Sequence, residues 1–268
     1  MRYTVGTATL VRVPYVDLLV DADVVGLTPE QVAANGWAAP TWAEGDQVRV
    51  GAAVWVIESD GRRIAVDPTQ AADEILRSEP DAVVHQEAVA GALESAGFPR
   101  ESIDTVIATH IDGIGMMAWR TDDGWTPFFP EADLLISRRE HEAIAARADY
   151  RPSGAEAYLA LHRQSAVTPV GDEHTVTSEV TMRWTGAHSP GHAVVDIESG
   201  HERATMIGHL ALTPVHCAVD ARLHEDPAAA EAILRRLADG RLLIGPLWPV
   251  PGAARWTGDD LTAAIPVG

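Results

Sequence analysis

The sequence of 268 residues predicts a layered α/β fold, on three observations. Apolar residues make up 46% of the chain and charged residues 22%, which is the composition of an ordinary globular protein. Short alternating or β-branched segments occur in two runs, and each run is followed by segments with helical periodicity. No internal repeat and no Gly/Ser-rich linker divides the chain, so we expect one domain over residues 1–268.

Short segments are predicted as β-strands because they alternate in polarity or are rich in β-branched residues. In chain order they lie near Tyr3–Val13, Gln47–Ile57, Arg63–Val66, Thr105–Thr109, Asp133–Ile136, Thr175–Arg183, Ala193–Ile197, Ala204–Ile207 and Leu242–Ile244. Helical segments separate several of them, which is the order expected when sheets and helices pack in layers.

Helix boundaries are predicted from capping residues and helix-breaking residues. Val84–Ala96 has helical periodicity and stops at Gly97. Ser137–Glu140 and Ser153–Glu156 both have the capping-box pattern, in which the serine and glutamate side chains bind each other's backbone N–H groups. Asp226–Leu237 begins with a capping aspartate, followed by a proline in the first turn. We therefore expect a helix to begin at each of these caps.

Charge and composition exclude several classes of function. The chain has 39 acidic and 20 basic side chains, a net charge of −19, so nucleic acid and anionic membranes are poor partners. Every basic residue is an arginine, and the absence of lysine excludes Schiff-base chemistry, pyridoxal phosphate attachment and a P-loop lysine. Cys217 is the single cysteine, which excludes an intramolecular disulfide and a cysteine-based zinc site. The sequence shows neither a membrane-spanning apolar run nor a signal peptide, so we expect a cytoplasmic protein.

Several spaced motifs resemble those of one protein superfamily. In chain order they are Val66–Pro68, Ile103–His110, Ile111–Gly115, Trp125–Pro130, Thr185–His192 and Leu242–Pro249. Together they resemble the metallo-β-lactamase fold superfamily, in its branch of lactonase- and organophosphate-hydrolase-like proteins, and the resemblance covers most of the chain. It implies an αββα sandwich, an α/β fold in which the active site lies at one edge of the two sheets.

The resemblance also implies a metal centre, of which only part is present here. Proteins of this branch hold two metal ions with five histidines and two aspartates, and a bridging water or hydroxide is the nucleophile. Among the ligand positions, His110, Asp112 and His188 match. His110 fits either the first or the second histidine of the His-x-His-x-Asp-His stretch, depending on where a gap is placed.

The other ligand positions are substituted. Gly113 stands at a histidine position, His209 at the bridging aspartate and Leu247 at the last histidine. A neutral imidazole cannot replace the anion that offsets the repulsion between two metal ions. We therefore expect at most one metal ion, with no cofactor or a single zinc as the two alternatives.

Three functions remain open for these residues. His110, His188 and His209 could hold one zinc ion, since three histidines are the ligand set of some catalytic zinc centres. Without metal, the same histidines could act as acid and base near neutral pH, with Asp112 orienting one of them. Either enzyme would act on a small organic molecule. The zinc enzyme would be a hydrolase, whereas the metal-free enzyme could hydrolyse an ester or lactone or catalyse elimination, isomerisation or cyclisation, as in secondary metabolism. The third alternative is a protein that binds a ligand without turning it over.

An apolar or aromatic substrate would suit the side chains that the resemblance places around the site. These are Trp119, Trp125, Trp248, Leu247, Met116 and Met117, for which core packing or subunit contacts in a homodimer are the alternative. His192 is expected to support its own loop, and Cys217 to be a buried small side chain. Six further histidines are expected at the surface: His85, His141, His162, His174, His201 and His224.

Overall fold

The computed structural model describes residues 1–68, 82–112, 118–147, 149–152, 154–219 and 223–267, with the backbone alone for residues 82–85. The centre of the fold consists of two β-sheets that pack face to face. Tyr3, Trp55 and Ile107 of the first sheet belong to the same buried cluster as Met182 and Ile244 of the second. The inner faces of the two sheets therefore form a shared apolar core, as in other sheet-on-sheet packings.

The first sheet has eight strands in the order β1-β2-β4-β5-β6-β9-β10, with β3 paired to β4. From β5 to β10 the neighbouring strands are parallel, whereas the others are antiparallel. The strands are β1 (Arg2–Val5), β2 (Ala8–Asp21), β3 (Ala43–Glu44), β4 (Gln47–Ser59), β5 (Arg62–Val66), β6 (Thr105–Ala108), β9 (Asp133–Ser137) and β10 (Val167–Val170).

The second sheet has seven strands in sequence order, and a separate hairpin follows β6 in the chain. In the second sheet only β14 and β15 are parallel neighbours. Its strands are β11 (Glu173–Thr175), β12 (Val180–Trp184), β13 (Ala193–Ser199), β14 (Glu202–Met206), β15 (Leu242–Ile244), β16 (Ala253–Thr257) and β17 (Asp260–Ala263). The hairpin consists of β7 (Ala118–Thr121) and β8 (Gly124–Pro127).

Helices cover the outer face of each sheet. They are α1 (Pro29–Ala34), α2 (Ala82–Ser95), α3 (Arg138–Ala146), α4 (Ala155–Arg163) and α5 (Pro227–Leu237). Leu93 of α2 and Tyr158 of α4 pack in the cluster outside the first sheet, and Leu234 of α5 packs with Leu243 outside the second. The order of layers is thus helix, sheet, sheet, helix, which confirms the predicted αββα sandwich.

Two predicted strands are interrupted by turns. The segment Tyr3–Val13 is divided between β1 and β2, because Gly6 has a φ of 56° that turns the chain. The segment Thr175–Arg183 is divided between β11 and β12, where the N–H of Val176 donates to the carbonyl of Val180 at 2.8 Å. Alternation in the sequence continues through both turns, so periodicity alone did not reveal them.

The predicted capping box at Ser137 forms only in part. The Ser137 side chain accepts a hydrogen bond from the N–H of Arg139 at 3.2 Å, so the serine caps α3 as expected. Glu140 does not return to the N-cap backbone; its side chain is fully buried and points into the protein. The physical reason is that Glu140 finds other hydrogen-bond donors in the interior.

The other predicted helix starts have different outcomes. Asp226 accepts a hydrogen bond from the N–H of Ala229 at 3.0 Å, which confirms the capping of α5. Ser153 lies outside the described residues, and α4 begins after Gly154, which has a φ of 82° and no side-chain cap. Gly97, with a φ of 87°, follows α2 as expected of a helix stop.

The candidate site residues follow the carboxyl ends of strands at one edge of the sandwich. Asp67 follows β5, His110 follows β6, His188 follows β12, His209 follows β14 and Leu247 follows β15. This placement is typical of ligand sites in folds that contain parallel strands.

Candidate active site

Asp67 fixes the backbone immediately before His110. Its carboxylate accepts hydrogen bonds from the N–H and from the hydroxyl of Thr109, both at 2.7 Å. Its φ of 42° lies in a region that aspartate tolerates better than most residues. Burial raises the pKa of Asp67 to about 6, against the Thr109 hydrogen bonds, which favour the ionised form. Asp67 therefore links the ends of β5 and β6 and fixes the backbone position from which the His110 side chain extends.

Three histidine side chains converge at this edge. The Nε2 atom of His110 lies 3.1 Å from the Nδ1 atom of His209. With His188, they offer one nitrogen each, and these three nitrogens all lie within 4.8 Å of one another. The ring of His110 lies 4.9 Å from that of His188 and 4.5 Å from that of His209, measured between centroids. The structure therefore brings together all three predicted histidines.

His209 reaches the cluster because of the short turn that follows β14. Gly208, with a φ of 55°, directs the chain into this turn. A Cβ atom at Gly208 would lie 2.5 Å from Nε2 of His192 and 2.6 Å from the hydroxyl of Thr109, so only glycine fits. The close approach of this turn to β6 places the imidazole of His209 beside His110.

His188 is held by the loop between β12 and β13, and His192 closes that loop. The carbonyl of His192 accepts the N–H groups of Thr185 and Gly186 at 2.7 and 3.0 Å. The Nδ1 atom of His192 is 2.7 Å from the hydroxyl of Thr185, and its ring is fully buried. These contacts fit the loop-supporting role expected of His192.

His110 and His188 are neutral at pH 7. Burial, with the charges of His209 and His188, lowers the pKa of His110 well below 6.5. Burial and the charge of His209 lower the pKa of His188 to about 3. Neutral imidazoles leave their lone pairs free for a metal ion, since only the unprotonated nitrogen binds.

Asp112 supplies the negative charge beside the cluster. One carboxylate oxygen lies 3.5 Å from Nδ1 of His209, and the side chain is 43% exposed. Burial raises the pKa of Asp112, but the hydrogen bond and charge of His209 outweigh it, so the pKa lies below its ordinary value. Asp112 is therefore ionised at neutral pH and reachable from solvent.

His224 belongs to the site, although the sequence analysis placed it at the surface. Its Nδ1 atom lies 3.4 Å from Nδ1 of His188, and it is half-buried. It also lines a cavity of about 370 Å³, together with Cys217 and residues of α5 and the β16–β17 turn. No motif marks His224, because it lies in an irregular segment whose path depends on tertiary contacts.

Trp248 and Leu247 were predicted to contact substrate, and the structure places both in packed surroundings. Trp248 has no exposed surface, and its indole N–H donates to the carbonyl of Ala211 at 2.9 Å. Leu247 is 6% exposed and packs against Ala52. These contacts correspond to the core-packing alternative for Trp248, whose buried ring has no free face for a ligand.

Trp119 and Trp125 lie on the two strands of the β7–β8 hairpin. Trp119 stacks on Phe128 with a centroid distance of 5.4 Å and lies under the Arg100 guanidinium at 4.4 Å. Trp125 lies under the guanidinium of Arg120 at 5.0 Å. Their contact with a substrate stays a prediction, and Met116, Met117 and Gly113 lie outside the described residues.

Cys217 is half-buried, and two of the predicted surface histidines have identifiable partners. Burial raises the pKa of the Cys217 thiol, which disfavours the thiolate a nucleophile would need. His141 and His162 are half-buried and lie ring to ring at 4.5 Å, and the hydroxyl of Tyr158 is 2.7 Å from Nδ1 of His141. The two histidines thus pack between α3 and α4, and the side chain of His85 lies outside the described residues.

The donor set fits one zinc ion and does not fit two. Three imidazoles whose nitrogens converge are a usual zinc ligand set. A pair of ions needs an anionic bridge and further ligands, but His209 carries no negative charge when it binds metal and Leu247 offers no ligand atom. The described part of the chain therefore does not supply the ligands of a dinuclear centre.

Comparison with known proteins supports the fold. No protein-family model matches this sequence, and no curated protein matches it. Among solved structures, the dizinc quorum-quenching lactonase AidC is 18% identical with a TM-score of 0.72, covering 100% of this chain and 97% of its own. The hydrolase AbOPH of the β-lactamase superfamily is 16% identical with a TM-score of 0.73, over 100% and 97% of the two chains. A probable metal-dependent hydrolase from Staphylococcus aureus is 15% identical with a TM-score of 0.68, over 96% and 95%.

These similarities show that the chain has the metallo-β-lactamase fold, as the sequence motifs predicted. The structural neighbours are hydrolases, and one of them is described with a bound lactonase product. Among the described residues, no helix is long and apolar enough to span a membrane.

Proposed function

We propose that this protein is a hydrolase that acts on a small organic molecule at a single zinc site formed by His110, His188 and His209. The observation that supports the proposal is the convergence of three histidine nitrogens within 4.8 Å of one another, from the buried His110 and His209 and the half-buried His188. Depressed pKa values keep His110 and His188 available as ligands well below neutral pH. A bound zinc ion would polarise a carbonyl oxygen and lower the pKa of a water molecule there.

The chain's own residues have distinct tasks in this proposal. His110, His188 and His209 hold the site in place, while Asp67 fixes the backbone before His110 through Thr109. Asp112 is ionised and partly exposed, so its carboxylate can accept a proton from a nucleophile or hold a donor of the substrate. The burial of the histidines excludes water from one side of the site, which strengthens electrostatic interactions with a substrate.

A second candidate is acid–base catalysis without metal, and one arrangement favours it. His209 Nδ1 lies within 3.5 Å of both His110 Nε2 and the Asp112 carboxylate, so a proton can be shared along this chain. Asp112 would then orient His209, and His209 would accept or donate the proton. Elimination, isomerisation or cyclisation, as in secondary metabolism, would suit this version. In both versions we expect the protein to act as a monomer or as a homodimer. We expect it in the cytoplasm, because a chain with a single cysteine has no intramolecular disulfide that would require an oxidising compartment.

Zinc titration of the purified protein separates the two candidates. We expect wild-type protein to bind one equivalent of zinc and the His188→Ala variant to lose this binding, while His201→Ala, altered at an exposed histidine, retains it. A panel of lactones and esters then provides an activity assay, in which a chelator abolishes the rate of the zinc enzyme. Absence of zinc uptake by wild-type protein, with a chelator-resistant rate, would instead establish the metal-free mechanism.

A further inference from the structure

Glu140 is a buried carboxylate that the proposed mechanism leaves unused. It lies in the first turn of α3 with no exposed surface. A buried carboxyl group requires hydrogen-bond donors, because removal from water is otherwise costly. The hydrogen-bond donors around Glu140 show which segments of the chain its side chain connects.

Four neutral donors point at the two oxygens of Glu140. One oxygen accepts the N–H of Ile111 at 3.2 Å and the hydroxyl of Tyr150 at 2.6 Å. The other accepts the hydroxyl of Ser189 and the N–H of Gly191, both at 2.9 Å. The four donors thus come from three separate segments of the chain: Ile111, Tyr150 and the pair Ser189 and Gly191.

Three of these donors belong to the two loops that carry candidate ligands. Ile111 lies between His110 and Asp112, whereas Ser189 directly follows His188. One carboxylate therefore connects the loop after β6, in the first sheet, with the loop after β12, in the second. The contact spans the two halves of the sandwich next to the histidine cluster.

The loop after β12 approaches Glu140 closely enough to demand glycine. A Cβ atom at Gly191 would lie 2.1 Å from the backbone nitrogen of Glu140, a distance that no side chain tolerates. The loop is thus shaped around the backbone of α3 as well as around its carboxylate. This explains a glycine that the sequence motif alone did not explain.

We propose that Glu140 is a positioning residue that sets the distance between His110 and His188 for one metal ion. The proposal rests on the proposed zinc site. Glu140 does not touch the metal position or the substrate; it acts through the backbone of Ile111 and through Ser189 and Gly191. Groups that orient metal ligands in this way typically change metal affinity about 10–100-fold when they are replaced.

The Glu140→Gln substitution tests this role while keeping the shape of the side chain. One oxygen becomes an NH₂ group, which cannot accept hydrogen bonds, so two of the four donors lose their acceptor. We expect the dissociation constant for zinc, measured by competition with a chromogenic chelator, to rise about 10–100-fold. Glu142→Gln, at an exposed position of the same helix, should leave it unchanged.

Thermal unfolding of the metal-free proteins separates positioning from general destabilisation. Zinc affinity is compared at a temperature at which circular dichroism shows both variants folded. If Glu140→Gln does not fold, Ser189→Ala and Tyr150→Phe each remove one donor to the carboxylate and should each weaken zinc binding. Affinity equal to wild type in the folded variants would overturn the role of Glu140 alone. Failure of the wild-type protein to bind zinc would overturn the proposed zinc site itself, together with this inference.

Discussion

The Nε2 atom of His110 and the Nδ1 atom of His209 lie 3.1 Å apart, although the two residues follow strands of different sheets. Two nitrogens bound to one tetrahedral zinc ion at 2.0–2.1 Å would lie about 3.3 Å apart. The same separation suits a hydrogen bond between two neutral imidazoles. The pair is therefore arranged for either a shared ion or a shared proton, and substitution at position 209 distinguishes these uses.

The first prediction concerns His209. In the zinc enzyme, His209→Ala removes one of three ligands, so zinc affinity should fall by more than the ~100-fold typical of outer-sphere changes. His209→Asp should recover part of the affinity, because a carboxylate also binds zinc, whereas a metal-free acid–base enzyme should lose about 10²-fold or more of its rate with aspartate. Calorimetric titration with zinc and initial rates on the same samples measure both effects. Unchanged affinity and unchanged rate in His209→Ala would place the site elsewhere.

The residues that carry motifs could be located from the sequence, because each follows a strand. His110, His188 and His209 meet since the strands before them end at the same edge of the sandwich. His224 could not be found in this way, as it lies in an irregular segment with no periodicity. The hydrogen-bond partners of Glu140 were predicted wrongly for a different reason. The capping-box pattern is local, whereas the donors to the Glu140 carboxylate come from distant loops. Pattern reasoning thus finds strand ends well and tertiary hydrogen bonds poorly.

The second prediction concerns Leu247, which stands at the position of the last histidine of the dinuclear metal centre. Leu247→His places an imidazole in an apolar environment beside Ala52, where it finds no designed partner. We expect the free energy of unfolding to fall by about 1–3 kcal/mol and the zinc stoichiometry to stay at one, because the bridging anion is still missing. Leu247→Met, which nearly conserves volume, should cost less than about 1.5 kcal/mol. Metal analysis that finds two equivalents in Leu247→His would contradict our account of the lost site.

The third prediction concerns Asp67, whose carboxylate accepts hydrogen bonds from both the N–H and the hydroxyl of Thr109. Asp67→Ala leaves a buried N–H and a buried hydroxyl without their acceptor and places alanine at positive φ. The free energy of unfolding should fall by about 3 kcal/mol. Asp67→Asn keeps an acceptor and tolerates the backbone, so we expect a loss of about 1 kcal/mol. Urea unfolding of both variants tests this order, which equal losses would refute.

His216 makes the free energy of unfolding depend on pH, and it does so outside the candidate site. It is 1% exposed, its Nδ1 atom accepts the N–H of Thr213 at 3.1 Å, and its Nε2 atom lies 3.0 Å from the carbonyl of Val25. Both nitrogens are therefore occupied in the neutral ring. Protonation would place a hydrogen on Nδ1 and break the bond from Thr213. Burial lowers the pKa of His216 to about 4, against the hydrogen bond to the carbonyl of Val25, which favours the protonated ring.

The last prediction follows from that shift. The folded-state pKa of His216 lies below the unfolded value of about 6.5, so the unfolded chain binds the extra proton between pH 6.5 and 4. The stabilisation from the neutral ring is thus fully present above pH 6.5 and is lost as the pH falls towards 4. Between pH 7 and pH 5, wild-type protein should lose about 2 kcal/mol more of its unfolding free energy than His216→Gln. His201→Gln, at an exposed position, should keep the wild-type pH dependence in the same urea titrations. Other buried groups contribute equally to each protein, so identical slopes for wild type and His216→Gln would show that His216 is not held neutral by its surroundings.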